Sequence, residues 1–211
     1  MYRLHGFCQS GNSFKVAFAL RAMRQPWEAV FVDFMNGATR DPAWREQVNE
    51  MGEAPVLDDG DRRLTQSGAI LLHLARKHGL FGGRTDGEQQ DVLRWLFFDN
   101  HKFTSYFATW RFMKSFVATA PDPAVAQFLK MRIDGNLAIV DKRLSSRAFV
   151  LGERPTIADI SLVAYLYYPA EEFGFDIAGT HSHIAAWLDR IKALPGWKHP
   201  YELMPGYPLV L

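Results

Sequence analysis

Apolar and polar positions change period several times in the first part of the chain. Tyr2 to Phe7 reads as a short strand, and Gln9-Ser10-Gly11-Asn12-Ser13 follows as a polar loop. Phe14 to Met23 reads as a helix, with Val16, Phe18, Ala19, Leu20 and Met23 forming an apolar stripe. Asn12 or Ser13 is positioned to cap its exposed amides. Glu28 to Phe34 alternates and is β-branched, which predicts a second strand. Asn36-Gly37 and Asp41-Pro42 then argue against long regular structure. Ala54 to Leu57, the turn Asp58-Asp59-Gly60-Asp61 and Arg62 to Thr65 predict a hairpin. Pro55 has no amide proton and so belongs at the start or edge of its strand. Ser67 introduces an apolar helix, Ala69 to Lys77, that ends near Gly79. Strand, helix, strand, irregular helix, hairpin and helix in that order suit a small mixed sheet with helices packed on it.

After Gly82-Gly83-Arg84 the period becomes helical throughout. Glu88 to Phe116 predicts one long aromatic-rich helix and Ala124 to Leu144 another, separated by Pro121-Asp122-Pro123. Thr156-Ile157-Ala158-Asp159 opens a third helix, and His183 to Leu194 forms a fourth before Pro195-Gly196. The expected organisation is an α/β domain over 1–80, a linker over 81–87 and an all-α domain over 88–211.

Composition narrows the function classes. The 211 residues are 48% hydrophobic and 22% charged, which excludes a disordered chain. A net charge of +1 provides no general field for nucleic acid or an anionic membrane, so an anionic ligand needs local donors. No run approaches the roughly 20 apolar residues of a membrane span, and the start lacks a secretory signal pattern. One cysteine, Cys8, excludes an intrachain disulfide framework and fits a reducing, cytoplasmic compartment. The seven histidines show no ligand spacing, so no metal is expected.

Four ordered segments carry a resemblance. Tyr2 to Phe7 followed by Ser10-Gly11-Asn12-Ser13-Phe14-Lys15-Val16 resembles the first strand and activating loop of serine- or threonine-dependent bacterial, nu-like and theta-like glutathione transferases. Asn49-Glu50-Met51-Gly52-Glu53-Ala54-Pro55-Val56-Leu57 is similar to that family's Asn-Pro-x-Gly-x-Val-Pro-x-Leu segment. Leu64-Thr65-Gln66-Ser67-Gly68-Ala69-Ile70-Leu71 is similar to its Glu-Ser or Asp-Ser stretch before an apolar helix. Thr156-Ile157-Ala158-Asp159 is similar to the capping box of its helical domain. The resemblance spans nearly the whole chain. It implies a thioredoxin-like N-terminal domain, an all-helical C-terminal domain and a cytoplasmic homodimer acting in detoxification. Glutathione is the implied co-substrate, held on the first domain, with a small apolar electrophile in a cleft beside it.

The chemistry needs a thiolate, because a neutral thiol is a poor nucleophile. A free thiol has a pKa near ~8.5, and lowering it by about two units takes roughly 2.7 kcal/mol. Hydrogen bonds to a charged atom contribute about 1.5–3 kcal/mol each, so a hydroxyl and an amide suffice without a general base. By the resemblance, Ser10 is the first candidate donor, Asn12 the second, and Ser13 a rival in the same loop. Ala54 and a cis Pro55 would meet the cysteinyl backbone of glutathione, and Gln66 and Ser67 its γ-glutamyl end. Gln66 replaces the usual acid, which predicts a weaker contact to the ammonium. Glu53 stands where many members carry Lys, Gln or Arg, and would repel the glycine carboxylate unless it points away or Arg40 and Lys15 compensate.

Phe7, Phe103, Tyr106, Phe107 and Trp110 are the candidate second-substrate residues, the last four sharing one helix face. The opposite face, Trp95, Asp99 and Lys102, is a candidate partner surface, with Asp99 and Asn100 candidates for reaching a partner's glutathione. Thr156 and Asp159 read as a structural cap. Two alternatives stay open: a glutathione-dependent disulfide reductase or peroxidase using Cys8, and a non-catalytic binding protein on the same fold.

Overall fold

The structure, a computed structural model, describes residues 1–207, the side chain of Ala178 excepted. The chain forms two compact units, one of Met1–Leu80 with the segment from Leu194 onward, the other Phe81–Ala193.

The first unit is built on four strands: β1 (Tyr2–Gly6), β2 (Trp27–Phe31), β3 (Val56–Asp59) and β4 (Arg62–Thr65), in the order β2-β1-β3-β4. β1 and β2 run parallel, with Gly6 opposite Phe31, while β3 is antiparallel to both β1 and β4. Helix α1 (Gly11–Ala22) makes the β1–β2 crossover, a 3-10 turn (Ala38–Arg40) and α2 (Pro42–Gln47) follow β2, and α3 (Ser67–His78) closes the order. This is a thioredoxin-like arrangement. The core lies where α1 and α3 meet the sheet: Leu4, Phe14, Phe18, Leu57, Ile70 and Leu71 are fully buried. Removing each large side chain from water contributes roughly 1.5–3 kcal/mol.

Two expectations for this unit change. The cap of α1 is neither Asn12 nor Ser13: Ser10 holds extended backbone angles (φ −88°, ψ 110°) and its Oγ accepts from Ser13 N–H at 3.1 Å. The helix therefore begins three residues before Phe14. The expected helical domain over 88–211 also loses its last part to the first unit. Arg21 Nε donates to Gly196 O (2.7 Å), and Cys8 N–H donates to Pro205 O (2.9 Å). Gln9 Nε2 donates to Tyr207 O at 2.9 Å. These non-local bonds draw the C-terminal stretch, including the short helix Pro200–Leu203, onto the β1–α1 loop.

The second unit is helical: α4 (Asp86–Phe98), α5 (Thr104–Ser115), α6 (Pro123–Leu144), α7 (Ile157–Leu162), the short α8 (Ala170–Phe173) and α9 (Ile177–Thr180), and α10 (Ser182–Lys192). The long helix expected over 88–116 is interrupted by a π-helical turn at Asp99–Phe103. There the fully buried Asp99 carboxylate accepts from Thr104 Oγ1 (2.6 Å) and from Ser161 Oγ. Ile184, Trp187, Leu188 and Ile191 put the apolar face of α10 into the core at helical spacing.

Asp159 organises the polar part of this unit. Thr156 caps α7, and Asp159 accepts from Thr156 N–H (2.8 Å), closing the capping box. It also accepts from Thr156 Oγ1 (3.0 Å), Val150 N–H (2.9 Å) and Trp187 Nε1 (3.1 Å). Burial raises its pKa above the ordinary carboxylate value, against the pull of these donors. Among the described residues, no helix is long and apolar enough to cross a membrane.

Candidate functional site

Sheet register explains why three separated segments meet. His5 pairs with Val56, and Val56 pairs with Thr65. The chain leaving β1, the chain entering β3 and the chain leaving β4 therefore lie at one end of the sheet. That end carries Ser10 and Asn12, then Glu53, Ala54 and Pro55, then Gln66 and Ser67. Because β2 is parallel to β1, the segment leaving β2 toward Arg40 starts from the same end.

Ser10 is largely buried, with 7% of its surface exposed. Capping α1 uses its oxygen as an acceptor and leaves its O–H free to donate, since a hydroxyl does both. Asn12 Oδ1 accepts from Ser67 Oγ at 3.2 Å, joining the α1 and α3 starts across the sheet end. Its Nδ2 meets no acceptor among the described residues and is half-exposed. Ser13 separates from these two: it is fully buried, its Oγ has no partner among the described residues, and it is wedged beneath β1. A Cβ at Gly6 would stand 2.6 Å from that Oγ, so only glycine fits there. A hydroxyl closed in this way offers nothing to a ligand.

The Ala54–Pro55 peptide bond is cis, and Pro55 is buried at the start of β3. Asn49, whose role the sequence did not suggest, fixes the approach: its Nδ2 donates to Glu53 O (2.8 Å) and its Oδ1 accepts from Met51 N–H (3.1 Å). Gln66 has a left-handed φ of 64°, which is unfavourable for a residue with a side chain. Its Nε2 donates to Glu53 Oε2 at 2.8 Å. Ser67 is buried at the first turn of the twelve-residue α3, where free N–H groups favour an anion. Lys15 is fully buried and cannot compensate for Glu53 at the surface. Arg40 is exposed, its guanidinium lying over Gly37, where a Cβ would come within 2.9 Å.

Phe7 and Cys8 lie beneath the C-terminal segment. Phe7 stacks on Phe34 (5.1 Å between ring centroids) and meets Tyr207 edge-on. Cys8 is 5% exposed, its Sγ donates to Gln9 Oε1 (3.3 Å), and a Cβ at Gly206 would reach within 2.1 Å of that sulfur. Tyr207 donates its O–H to Asp33 (2.5 Å) and accepts from Met35 N–H (2.8 Å). Burial, together with the Asp33 carboxylate, pushes the Tyr207 pKa up to about 12. Asp33 is held below the ordinary value by Tyr207 and Asn36. No sequence pattern announced this segment, because its partners lie almost the whole chain away.

In the second unit the aromatic stripe divides. Phe103, Phe107 and Trp110 are buried in the unit's own core, Phe107 against Phe103 and Phe173, with Trp110 Nε1 donating to Phe173 O. They have little or no surface to present to a substrate. Tyr106 alone of the four is half-exposed, resting edge-on against Phe128. The opposite face is also corrected: Trp95 and Asp99 are buried within the unit rather than displayed to a partner. Among the described residues no His, Cys, Asp and Glu cluster could hold a metal.

Loop donors at a helix start thus lie beside a buried proline at one end of a thioredoxin-like sheet. Residues 1–76 match the family described as glutathione S-transferase, N-terminal domain, and residues 122–190 match its C-terminal domain. Glutathione S-transferase F14 of Arabidopsis thaliana is 27% identical, over 89% of this chain and 77% of its own. The crystal structure of a glutathione S-transferase from Pseudomonas fluorescens Pf-5 superposes with a TM-score of 0.85, at 31% identity over 94% of this chain and 98% of that one. A second structure from Pseudomonas fluorescens Pf-5, a glutathione transferase family member with two glutathione molecules bound, is 25% identical with a TM-score of 0.80, covering 92% of this chain and 89% of that one. The chain belongs to the glutathione S-transferase family.

Proposed function

We propose that this protein conjugates glutathione to a small apolar electrophile, and that the Ser10 hydroxyl holds the sulfur as a thiolate. The observation that carries this reading is the division of labour at Ser10. Its oxygen is committed to Ser13 N–H, which fixes the side chain, while its O–H remains available in a largely buried setting. A donor already oriented before the ligand arrives loses little freedom on binding, and partial burial strengthens its bond to a charged sulfur. Asn12 Nδ2 is the second donor. The proton leaves the glutathione thiol to solvent, the thiolate attacks the electrophilic carbon, and the displaced group leaves with the bonding electron pair.

The remaining contacts follow from the same sheet end. The backbone at Ala54-Pro55 suits the cysteinyl amide and carbonyl, the backbone N–H groups of Ser67 and its successors at the start of α3 suit the γ-glutamyl carboxylate, and exposed Arg40 suits the glycine carboxylate. Phe7, 6% exposed beneath the C-terminal segment, has as little surface to offer as the buried rings of the second unit, and half-exposed Tyr106 is the remaining aromatic candidate for the electrophile. On this reading the protein acts as a serine-dependent transferase, a cytoplasmic homodimer in detoxification. Support for a dimer comes from exposed apolar side chains such as Phe97 on α4 and Met131 on α6.

Burial of Cys8 beneath Gly206 favours conjugation over reductase chemistry, which needs an accessible sulfur. The test is turnover of glutathione with an electron-poor aryl halide and, separately, with a glutathione mixed disulfide. Conjugation that survives Cys8→Ser and collapses in Ser10→Ala supports the proposal. Disulfide reduction that depends on Cys8 and ignores Ser10 would overturn it. A folded protein that binds no glutathione in calorimetry would point instead to a scaffold.

A further inference from the structure

At the γ-glutamyl end the carboxylate has donors in the free amides that open α3, but the α-ammonium beside it needs an anion, and Gln66 is neutral. The nearest one in contact is Glu53. Gln66 Nε2 donates to Glu53 Oε2 at 2.8 Å and also approaches Met51 Sδ at 3.2 Å. This orientation of the amide is set by chemistry, because the reverse would place Oε1 against a carboxylate with no proton between them. With its nitrogen turned to Glu53, Gln66 leaves Oε1 as the face open to a donor.

We propose that Glu53 is a specificity-determining residue that supplies, through Gln66, the negative charge recognising the α-ammonium of a γ-glutamyl thiol. An ammonium donating to Oε1 polarises the amide and strengthens its N–H bond to Glu53, and the carboxylate in turn makes the oxygen a better acceptor. Both partners have fixed backbones: Asn49, only 2% exposed, holds Glu53 O, and Gln66 is pinned at its left-handed φ between β4 and α3. The charge that relatives of the resembling pattern carry on the residue before Ser67 is thus carried thirteen positions earlier. Glu53 is turned to Gln66, so its effect on a glycine carboxylate is secondary.

The inference rests on the reading that this site binds glutathione, and the test separates the two. Binding of glutathione, and of an analogue lacking only the α-amino group, is measured by calorimetry at low salt for the unmodified protein, Glu53→Gln and Glu53→Gln/Gln66→Glu. The expected result is about fivefold weaker glutathione binding in Glu53→Gln, as befits an exposed charge contact. The deamino analogue should bind equally to both proteins, and the double variant should recover glutathione affinity. Unchanged or tighter glutathione binding in Glu53→Gln overturns the inference and leaves the functional reading standing, as does equal weakening of both ligands. Failure of the unmodified protein to bind glutathione at all overturns both.

Discussion

The helix starts of α1 and α7 each gather hydroxyl and carbonyl-type groups, and they use them in opposite ways. At α7 the buried Asp159 takes four donors, from Thr156 N–H and Oγ1, Val150 N–H and Trp187 Nε1. Each of these bonds answers a group that would otherwise be buried without a partner. At α1, Ser10 answers one amide and keeps its own hydrogen, and Asn12 accepts from Ser67 while its Nδ2 stays open. A saturated cluster holds structure together. A cluster with spare donors at a surface is prepared for something not part of the chain, and here the spare donors suit an anion such as a thiolate.

The largest contrast should come from removing the hub. Asp159→Ala leaves four buried donors unanswered and is expected to lower unfolding free energy by roughly 3 kcal/mol in urea denaturation. A loss under about 1 kcal/mol would mean that the hub is no more than an ordinary cap. Ser10→Ala should reverse the emphasis. Conjugation kcat/KM is expected to drop roughly thirtyfold, about 2 kcal/mol, for the lost bond to sulfur. Its stability cost should be about 1 kcal/mol, the usual effect of losing an N-cap. Ser10→Thr retains hydroxyl and cap, so it should recover most of both. If Ser10→Ala unfolds the protein as readily as Asp159→Ala while the surviving folded fraction turns over normally, the two clusters do the same job.

The smallest expected effect is electrostatic. Asp58 sits between His5 (2.8 Å) and Arg63 (2.7 Å) across β1, β3 and β4. Burial pushes its carboxyl up, but Arg63 and His5 outweigh that and hold it below the ordinary value. Asp59 is lowered by Lys77 and His73 against the same opposing burial. A depressed carboxylate contributes stability that is complete above the usual carboxylate pKa near ~4 and is lost as pH falls through the lower folded value. Asp159, raised by burial, has the opposite sign and softens the acid loss. Arg63→Met should therefore flatten the fall in melting temperature measured from pH 5 toward pH 3, while Ser10→Ala should leave that slope alone.

Much of this contrast was legible in the chain, for reasons of range. The order of strands and helices, the hairpin at Asp59-Gly60 and the Thr156–Asp159 box depend on neighbours a few residues apart, and sequence spacing reports those directly. Ser10 as the α1 cap was missed because Asn12 and Ser13 are equally good caps by type, and only the extended backbone at Ser10 decides between them. Phe103 and Asp99 were misplaced because the π-helical turn rotates everything after Phe98 relative to an unbroken helix. Tyr207 over Phe7 and the Glu53–Gln66 contact link distant positions. Nothing local in the sequence encodes them.

The direct test of the spare-donor idea is the acid dissociation of glutathione's thiol in the binary complex, followed by ultraviolet thiolate absorbance against pH. In the unmodified protein the apparent pKa should lie about two units below the free value of ~8.5, and in Ser10→Ala it should return most of the way. Asn12→Ala should shift it by a smaller amount in the same direction. A bound thiol that titrates at its free value in the unmodified protein, or a depressed value that Ser10→Ala leaves in place, would contradict thiolate stabilisation by the Ser10 hydroxyl.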